Sequence, residues 1–223
     1  MAVTLASNAL TVVAAVTERT GTTYSNDRVT RAINVASAAI EDYLGRPLGY
    51  ATVTDEEHQG RGYPDLWLVR APLISVTSVY INDAEDEEWT RSTAYDALGK
   101  LYRASGWPAS PGIYADVTRD PNYNALAYNI RLSYIGGFYL PFDDDGTPPT
   151  GATRLPYHIE EVAINEAIAV CQRVPNANNI TEEVTPGGWR RKFGGSSGGG
   201  TGDTLSADSK RILDRFPLKV IHV

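Results

Sequence analysis

The sequence predicts an α+β fold: a helical core with an antiparallel β-rich region inserted in its middle. Three observations predict it. Apolar residues recur at helical spacing near both ends of the chain. The stretch from about Tyr50 to Leu140 is instead rich in β-branched and aromatic residues. Twenty glycines, thirteen prolines and thirteen tyrosines indicate many turns and half-buried strands. The expected division is 1–49 as the N-terminal helical part, 50–150 as the β-rich insertion, and 151–223 as the C-terminal helical part with a glycine-rich arm. All three belong to one structural unit.

The helical core comprises two N-terminal helices, a long later helix and a short C-terminal one. The first is expected over "SNALTVVAAVTERTG", capped by Ser7 or Asn8 and stopped by Gly21. The second follows Ser25, with Val29, Ile33, Ala36, Ile40 and Tyr43 forming one apolar stripe. Gly45 ends it, and Pro47 prevents its continuation.

In the middle, "DLWLVRAPLISVTSVYIND" reads as strand broken at Pro72, and the acidic run after it as a loop or hairpin tip. The segment from Glu88 to Pro108 reads as two short strands joined at Gly99 and Lys100. "YNIRLSYIGGFYLP" is a strand with Ile130, Leu132 and Tyr134 on one face, broken at Gly136 and Gly137. Short strands with turns between them imply an antiparallel sheet or small barrel. Trp67 and Trp89 read as core.

A polar loop then leads to Pro156, placed as a first-turn proline. The long helix after it carries Ile159, Ala163, Ala167, Val170 and Val174 on one face, with Ile164, Ile168 and Cys171 beside them. That wide stripe predicts deep packing. "TLSADSKRILDRFP" is the short last helix, capped by Thr204 or Ser206 and ended by Pro217.

Composition bounds the function. The chain has 223 residues, enough to bury roughly 70% of its unfolded surface without staples. One cysteine, Cys171, cannot form an internal disulfide. No apolar run approaches the ~20 residues that cross a bilayer, and no basic leader precedes the first apolar stretch. A protein made in a reducing cytoplasm, with no membrane partner, is expected. Twenty basic and twenty-seven acidic residues give a net charge of −7, which argues against gripping duplex DNA by phosphate neutralisation.

The chemical motifs are thin. Gly194, Ser196 and Gly198 match the G-x-S-x-G of a hydrolase elbow, but that motif needs a rigid strand-to-helix turn. Here Gly198, Gly199, Gly200 and Gly202 crowd the serine, and only His222 follows as a base. A phosphate loop would need Gly-Lys-Ser/Thr, and the run ends in Gly202-Asp203. The bland reading is a flexible tether. His58, His158 and His222 have no ligand spacing for a metal. Asp143 to Gly146 lacks the alternating ligands of a calcium loop. His158 reads as a surface or packing residue and Cys171 as core. No catalytic, cofactor or metal site is expected.

The order of segments resembles the head–tail connector (adaptor) proteins of tailed bacteriophages. The phrases that carry the likeness are "YLGRPL" (Tyr43 to Leu48), "LVRAPLISVTSVYIND" (Leu68 to Asp83) and the stretch from Tyr95 to Pro108. "LSYIGGFYLP" (Leu132 to Pro141) and the helix beginning near "LPYHIEEVAINEAI" complete it. Phe138 stands where the family usually has tyrosine, and the glycine insert and the tail "FPLKVIHV" also depart from the pattern. The resemblance implies a non-enzymatic virion protein of the neck, assembled as a homo-oligomeric ring, commonly a dodecamer. It implies contacts with the portal protein and with tail or neck proteins. DNA would pass through the channel without sequence-specific binding.

Three expectations follow. Trp189, Arg190, Arg191, Lys192 and Phe193 are the candidate partner interface, since tryptophan and arginine dominate interfaces. The segment from about Thr181 to Gly202 is expected to be mobile in the free subunit and ordered in the particle. The channel lining is expected to be acidic or neutral, with Asp83 to Glu88 and Asp143 to Asp145 as candidates. Alternative readings are a tail-associated β-rich module binding carbohydrate or protein, and a hydrolase using Ser196.

Overall fold

The computed structural model describes residues 3–109, 128–143, 147–172, 182–184, 190–192 and 205–216, with backbone alone for 182–184 and 190–192. It is mixed α+β, as the sequence predicts. Helices α1 (Val13–Thr20) and α2 (Asn26–Leu44) come first. Then follow β1 (Ala51–His58), β2 (Asp65–Trp67), β3 (Leu73–Ile81), β4 (Ala84–Glu85) and β5 (Trp89–Thr90). Helix α3 (Thr93–Leu98) precedes β6 (Lys100–Arg103) and β7 (Ile130–Gly136). Helix α4 (Tyr157–Gln172), the ribbon of β8 (Glu182–Val184) and β9 (Arg190–Lys192), and α5 (Ala207–Leu213) close the chain.

The apolar stripe of α2 packs as its spacing predicts. Val29, Ile33, Ala36 and Ile40 are buried. Val29, Ile33 and Ala36 meet Ile164, Ala167 and Cys171 of α4. Gly45 takes the left-handed conformation at φ 70°, and its amide and that of Arg46 donate to Asp42 O and Glu41 O. Ser25 occupies the N-cap position of α2 without a side-chain capping bond. Ser206 caps α5, accepting from the Ser209 amide at 3.2 Å.

The first helix starts later than its sequence suggests. Ser7 and Asn8 do not cap it, because both lie in a turn that runs alongside α2. Asn8 Nδ2 donates to Glu41 Oε2 at 2.7 Å, and the Leu10 amide donates to Ser37 Oγ at 3.0 Å. The second bond satisfies a backbone amide that a helix would otherwise pair, and the first takes the Asn8 side chain away from a capping role. Leu10 is thereby driven into the core.

Between Trp89 and Arg103 the two strands predicted are present, but α3 separates them. Ser92 Oγ accepts from the Tyr95 amide at 3.3 Å, and Gly99 closes the helix at φ 66°. Both caps are written in the sequence and outweigh its strand-like composition.

The strands form a four-stranded antiparallel sheet, β1-β7-β3-β4, and a three-stranded one, β2-β6-β5. Ile130, Leu132 and Tyr134 alternate inward from β7 against Leu66, Leu68, Leu101 and Trp107. The expectation for Trp67 is corrected. Its neighbours Leu66 and Leu68 point inward, so the pleat turns Trp67 outward, 47% exposed. Lys100 Nζ lies 5.7 Å from the Trp67 ring and 4.1 Å from that of Tyr95, and bonds Asp65 at 2.9 Å. Trp89 is half-buried against the sheet core.

Candidate functional site

The phrases that carry the family resemblance converge on one seam between helices and sheet. The Phe138 amide donates to Leu48 O at 2.7 Å, and the Tyr50 amide returns to Phe138 O at 2.7 Å. The Gly137 amide donates to Pro72 O at 2.9 Å, and that of Leu68 to Gly99 O at 2.8 Å. Arg70 Nη1 donates to Gly49 O. Leu44, Leu48, Ala71, Phe138 and Leu140 then pack on Ile159 and Ala163 of α4 in one cluster. "YLGRPL", "RAPL" and "GGFYLP" are thus parts of one joint, although far apart in sequence.

Arg46 sits inside this joint at 2% exposure. Its Nη1 donates to Leu98 O at 3.2 Å, while Nε and Nη2 have no hydrogen-bond partner among the described residues. Burial pushes the guanidinium below its ordinary pKa, against the pull of Tyr134 and Glu56. A guanidinium stays charged in proteins, so this side chain carries an incompletely compensated charge at the centre of the joint.

Glu56 organises the neighbouring polar cluster. Its Oε1 contacts His58 Nε2 at 2.6 Å and accepts from the Val69 amide at 3.0 Å. Its Oε2 accepts from the Tyr134 hydroxyl at 2.5 Å. Burial alone would raise the carboxyl, but these three hydrogen bonds outweigh it and hold Glu56 below the ordinary 4.5. Burial, then Glu56, pushes the Tyr134 hydroxyl well above its ordinary range. A depressed carboxyl pKa gives stability that is full above the unfolded value and lost as pH falls through the folded one. Glu56→Gln is therefore expected to melt below the wild type at neutral pH, with the gap narrowing below about pH 4.5. Melting curves across pH 3 to 7 check this. A gap that is constant across that range refutes it. No spacing in the sequence reveals this cluster, since Glu56 and Tyr134 meet only through the β1–β7 pairing.

Of the candidate interface, Trp189 and Phe193 lie outside the described residues. Arg190, Arg191 and Lys192 form β9, paired antiparallel with Val184, Glu183 and Glu182 of β8. The glycine run, Ser196 and His222 also lie outside the described residues. The acidic run forms the β3–β4 turn and the segment after it. Asp83 binds Arg131 at 2.5 Å, and Asp86 and Glu88 bind Arg103 at 3.2 and 2.7 Å. Asp143 ends a short 3-10 turn, where burial raises its carboxyl; Asp144 and Asp145 are outside the described residues. His158 is on the surface, its ring 5.7 Å from that of Phe216, and Cys171 is buried. Among the described residues no group of three or more His, Cys, Asp or Glu could hold a metal ion. Among them, no helix is long and apolar enough to cross a membrane.

No protein-family model and no curated protein matches the sequence. Solved structures similar to the chain include one from the neck of an empty GTA particle computed with C6 symmetry. It is 16% identical over 76% of this chain and 81% of that chain, with a TM-score of 0.43. Another is from the virion of a native gene transfer agent (GTA) particle. It is 13% identical over 100% of this chain and 96% of that chain, with a TM-score of 0.47.

Proposed function

We propose that the chain is a structural, non-enzymatic protein of the neck of a phage-like particle. Copies of it form a ring that joins the portal of the head to the tail and extends the DNA channel. The observation that supports this reading is the joint: phrases matched one by one to the connector pattern pack together around Gly137, Arg46 and Phe138. A set of phrases that share a joint constrains the fold more than the same phrases scattered over a surface would.

The channel lining is proposed to be acidic or neutral. Duplex DNA has one charge per ~1.7 Å of axis, and a basic lining would retain it by counterion release. The Asp83 to Glu88 segment is a weakened candidate for that lining, because Asp83, Asp86 and Glu88 are bound to Arg131 and Arg103.

The test is capture of the full chain by the portal protein, together with imaging of the assembled particle. Capture and a ring at the neck are expected. Absence from particles and no capture would overturn the reading. A lumen lined by Arg190, Arg191 and Lys192 would overturn the channel assignment. The exposed rings of Tyr63 and Trp67, at 67% and 47%, favour a second reading as a tail-associated module binding carbohydrate or protein. Thermal stabilisation by added oligosaccharide, without portal capture, would select it.

A further inference from the structure

We propose that Arg46 is a concealed seat for a carboxylate, covered by helix α3, and that a partner segment carrying an acidic side chain among apolar ones fills it when α3 lifts. That a partner protein exists rests on the neck reading above; the seat rests on the joint alone.

Among the described residues, Arg46 alone keeps buried side-chain N–H groups without a hydrogen-bond partner. The two groups, Nε and Nη2, stand side by side on one edge of the guanidinium. That edge is a fork that takes both oxygens of a carboxylate. Burying it unfilled is costly, because each N–H has left water without gaining an acceptor. The carboxylates around the joint are engaged elsewhere. Glu41 accepts from the Leu48 amide at 2.8 Å and from Asn8 Nδ2 at 2.7 Å. Glu56 accepts from Tyr134 and the Val69 amide and contacts His58. Asp96 accepts from Arg91 Nε at 3.0 Å and Nη2 at 2.9 Å.

The one side-chain bond that Arg46 makes runs to Leu98 O, at the end of α3. That helix has six residues and none is buried. An element with so little buried surface can open without unfolding the rest. A groove of about 460 Å³ runs along it, lined by Thr93 and Ala97 of α3 and by Pro72, Leu73 and Phe138 of the joint. A segment entering there can rest apolar side chains on Pro72, Leu73 and Phe138. A carboxylate beside them reaches the fork once Leu98 O moves away. A basic segment meets the same guanidinium as a like charge.

The full chain tests this in three measurements. Arg46→Met removes an unpaired buried charge and is expected to melt roughly 5 °C above the wild type in sodium chloride. Replacing chloride by acetate at equal ionic strength is expected to raise the melting temperature of the wild type more than that of Arg46→Met, and to move the Arg46 Nε–H resonance in isotope-labelled wild type. A short peptide with one glutamate between leucines is expected to bind the wild type at least about tenfold more tightly than the same peptide with glutamine, and Arg46→Met to lose that preference. A variant that melts at or below the wild type, equal acetate gains in the two proteins, or a resonance that ignores acetate would overturn the seat. Absent or equal binding of the two peptides would overturn its occupant. A wild type that answers acetate at Arg46 yet escapes portal capture sinks the neck reading and leaves the seat, whereas capture without that answer does the reverse.

Discussion

Gly137→Ala is expected to destabilise the protein by on the order of 4 kcal/mol, and in a chain of ordinary stability to leave little folded subunit. Two independent costs add. Gly137 sits at φ 102°, a conformation that side chains rarely adopt. A Cβ there would also overlap the Gly49 carbonyl, with that carbon at 2.6 Å and the Tyr50 nitrogen at 2.9 Å. Neither obstacle is a flexible side chain. Both are backbone already held in place: Tyr50 N donates to Phe138 O, Phe138 N donates to Leu48 O, and the Gly49 carbonyl accepts from Arg70 Nη1. Relief would have to open the joint itself. Gly62→Ala is the control. Gly62 has φ 79° but nothing within 4 Å of a new Cβ, so only the backbone cost remains, roughly 1–2 kcal/mol. Denaturant unfolding of both variants checks the prediction. Equal losses at the two sites would show that close approach at Gly137 is not what the joint requires.

The joint also shows how much of the fold could be read in advance. The long helices were legible because their apolar stripes recur every three to four residues, Gly45 and Pro47 mark the end of α2, and Ser206 marks the start of the short α5. The inward face of β7 was legible from Ile130, Leu132 and Tyr134 by simple alternation. Errors arose where tertiary contacts outweigh local preference. Asn8 is a good capping residue, yet it bonds Glu41 across 33 positions, and the helix waits until Val13. The outward turn of Trp67 was available in principle, because Leu66 and Leu68 flank it at period two. Bulk misled: a tryptophan in strand text reads as core, while the pleat decides the side. Helix α3 was available too, through Ser92 and Gly99, but six residues are too few to show a stripe.

The sites were less legible for a different reason. β1 itself went unmarked, since Thr52 and Thr54 are its only outward β-branched signals and an acidic run follows them. Glu56 reads as one more surface carboxylate until the pairing of β1 with β7 brings it to Tyr134. Such arrangements depend on residues tens of positions apart. No local spacing encodes them, whereas charge runs such as Arg190 to Lys192 are visible at once but say nothing about what they meet.

Ile164→Asp is expected to be strongly damaging, costing about 4 kcal/mol or more and lowering the melting temperature by roughly 10 °C. Ile164 is 4% exposed and packed with Ile33, Ala36 and Ala167 between α2 and α4. Truncating such a side chain alone costs about 2–5 kcal/mol, and a carboxylate in its place has no cation within the cluster to pair with. Val170 lies on the same helix and reads as core from the sequence stripe, but it is only half-buried at the margin of the cluster. Val170→Asp can turn its carboxylate toward water, so its cost should stay within about 1–2 kcal/mol. The pair separates helix register from helix propensity, because both substitutions introduce the same residue into the same element. A small loss at residue 164 with a large one at residue 170 would mean that α4 presents a different face to α2, and equal losses would mean that the face is decided by propensity alone.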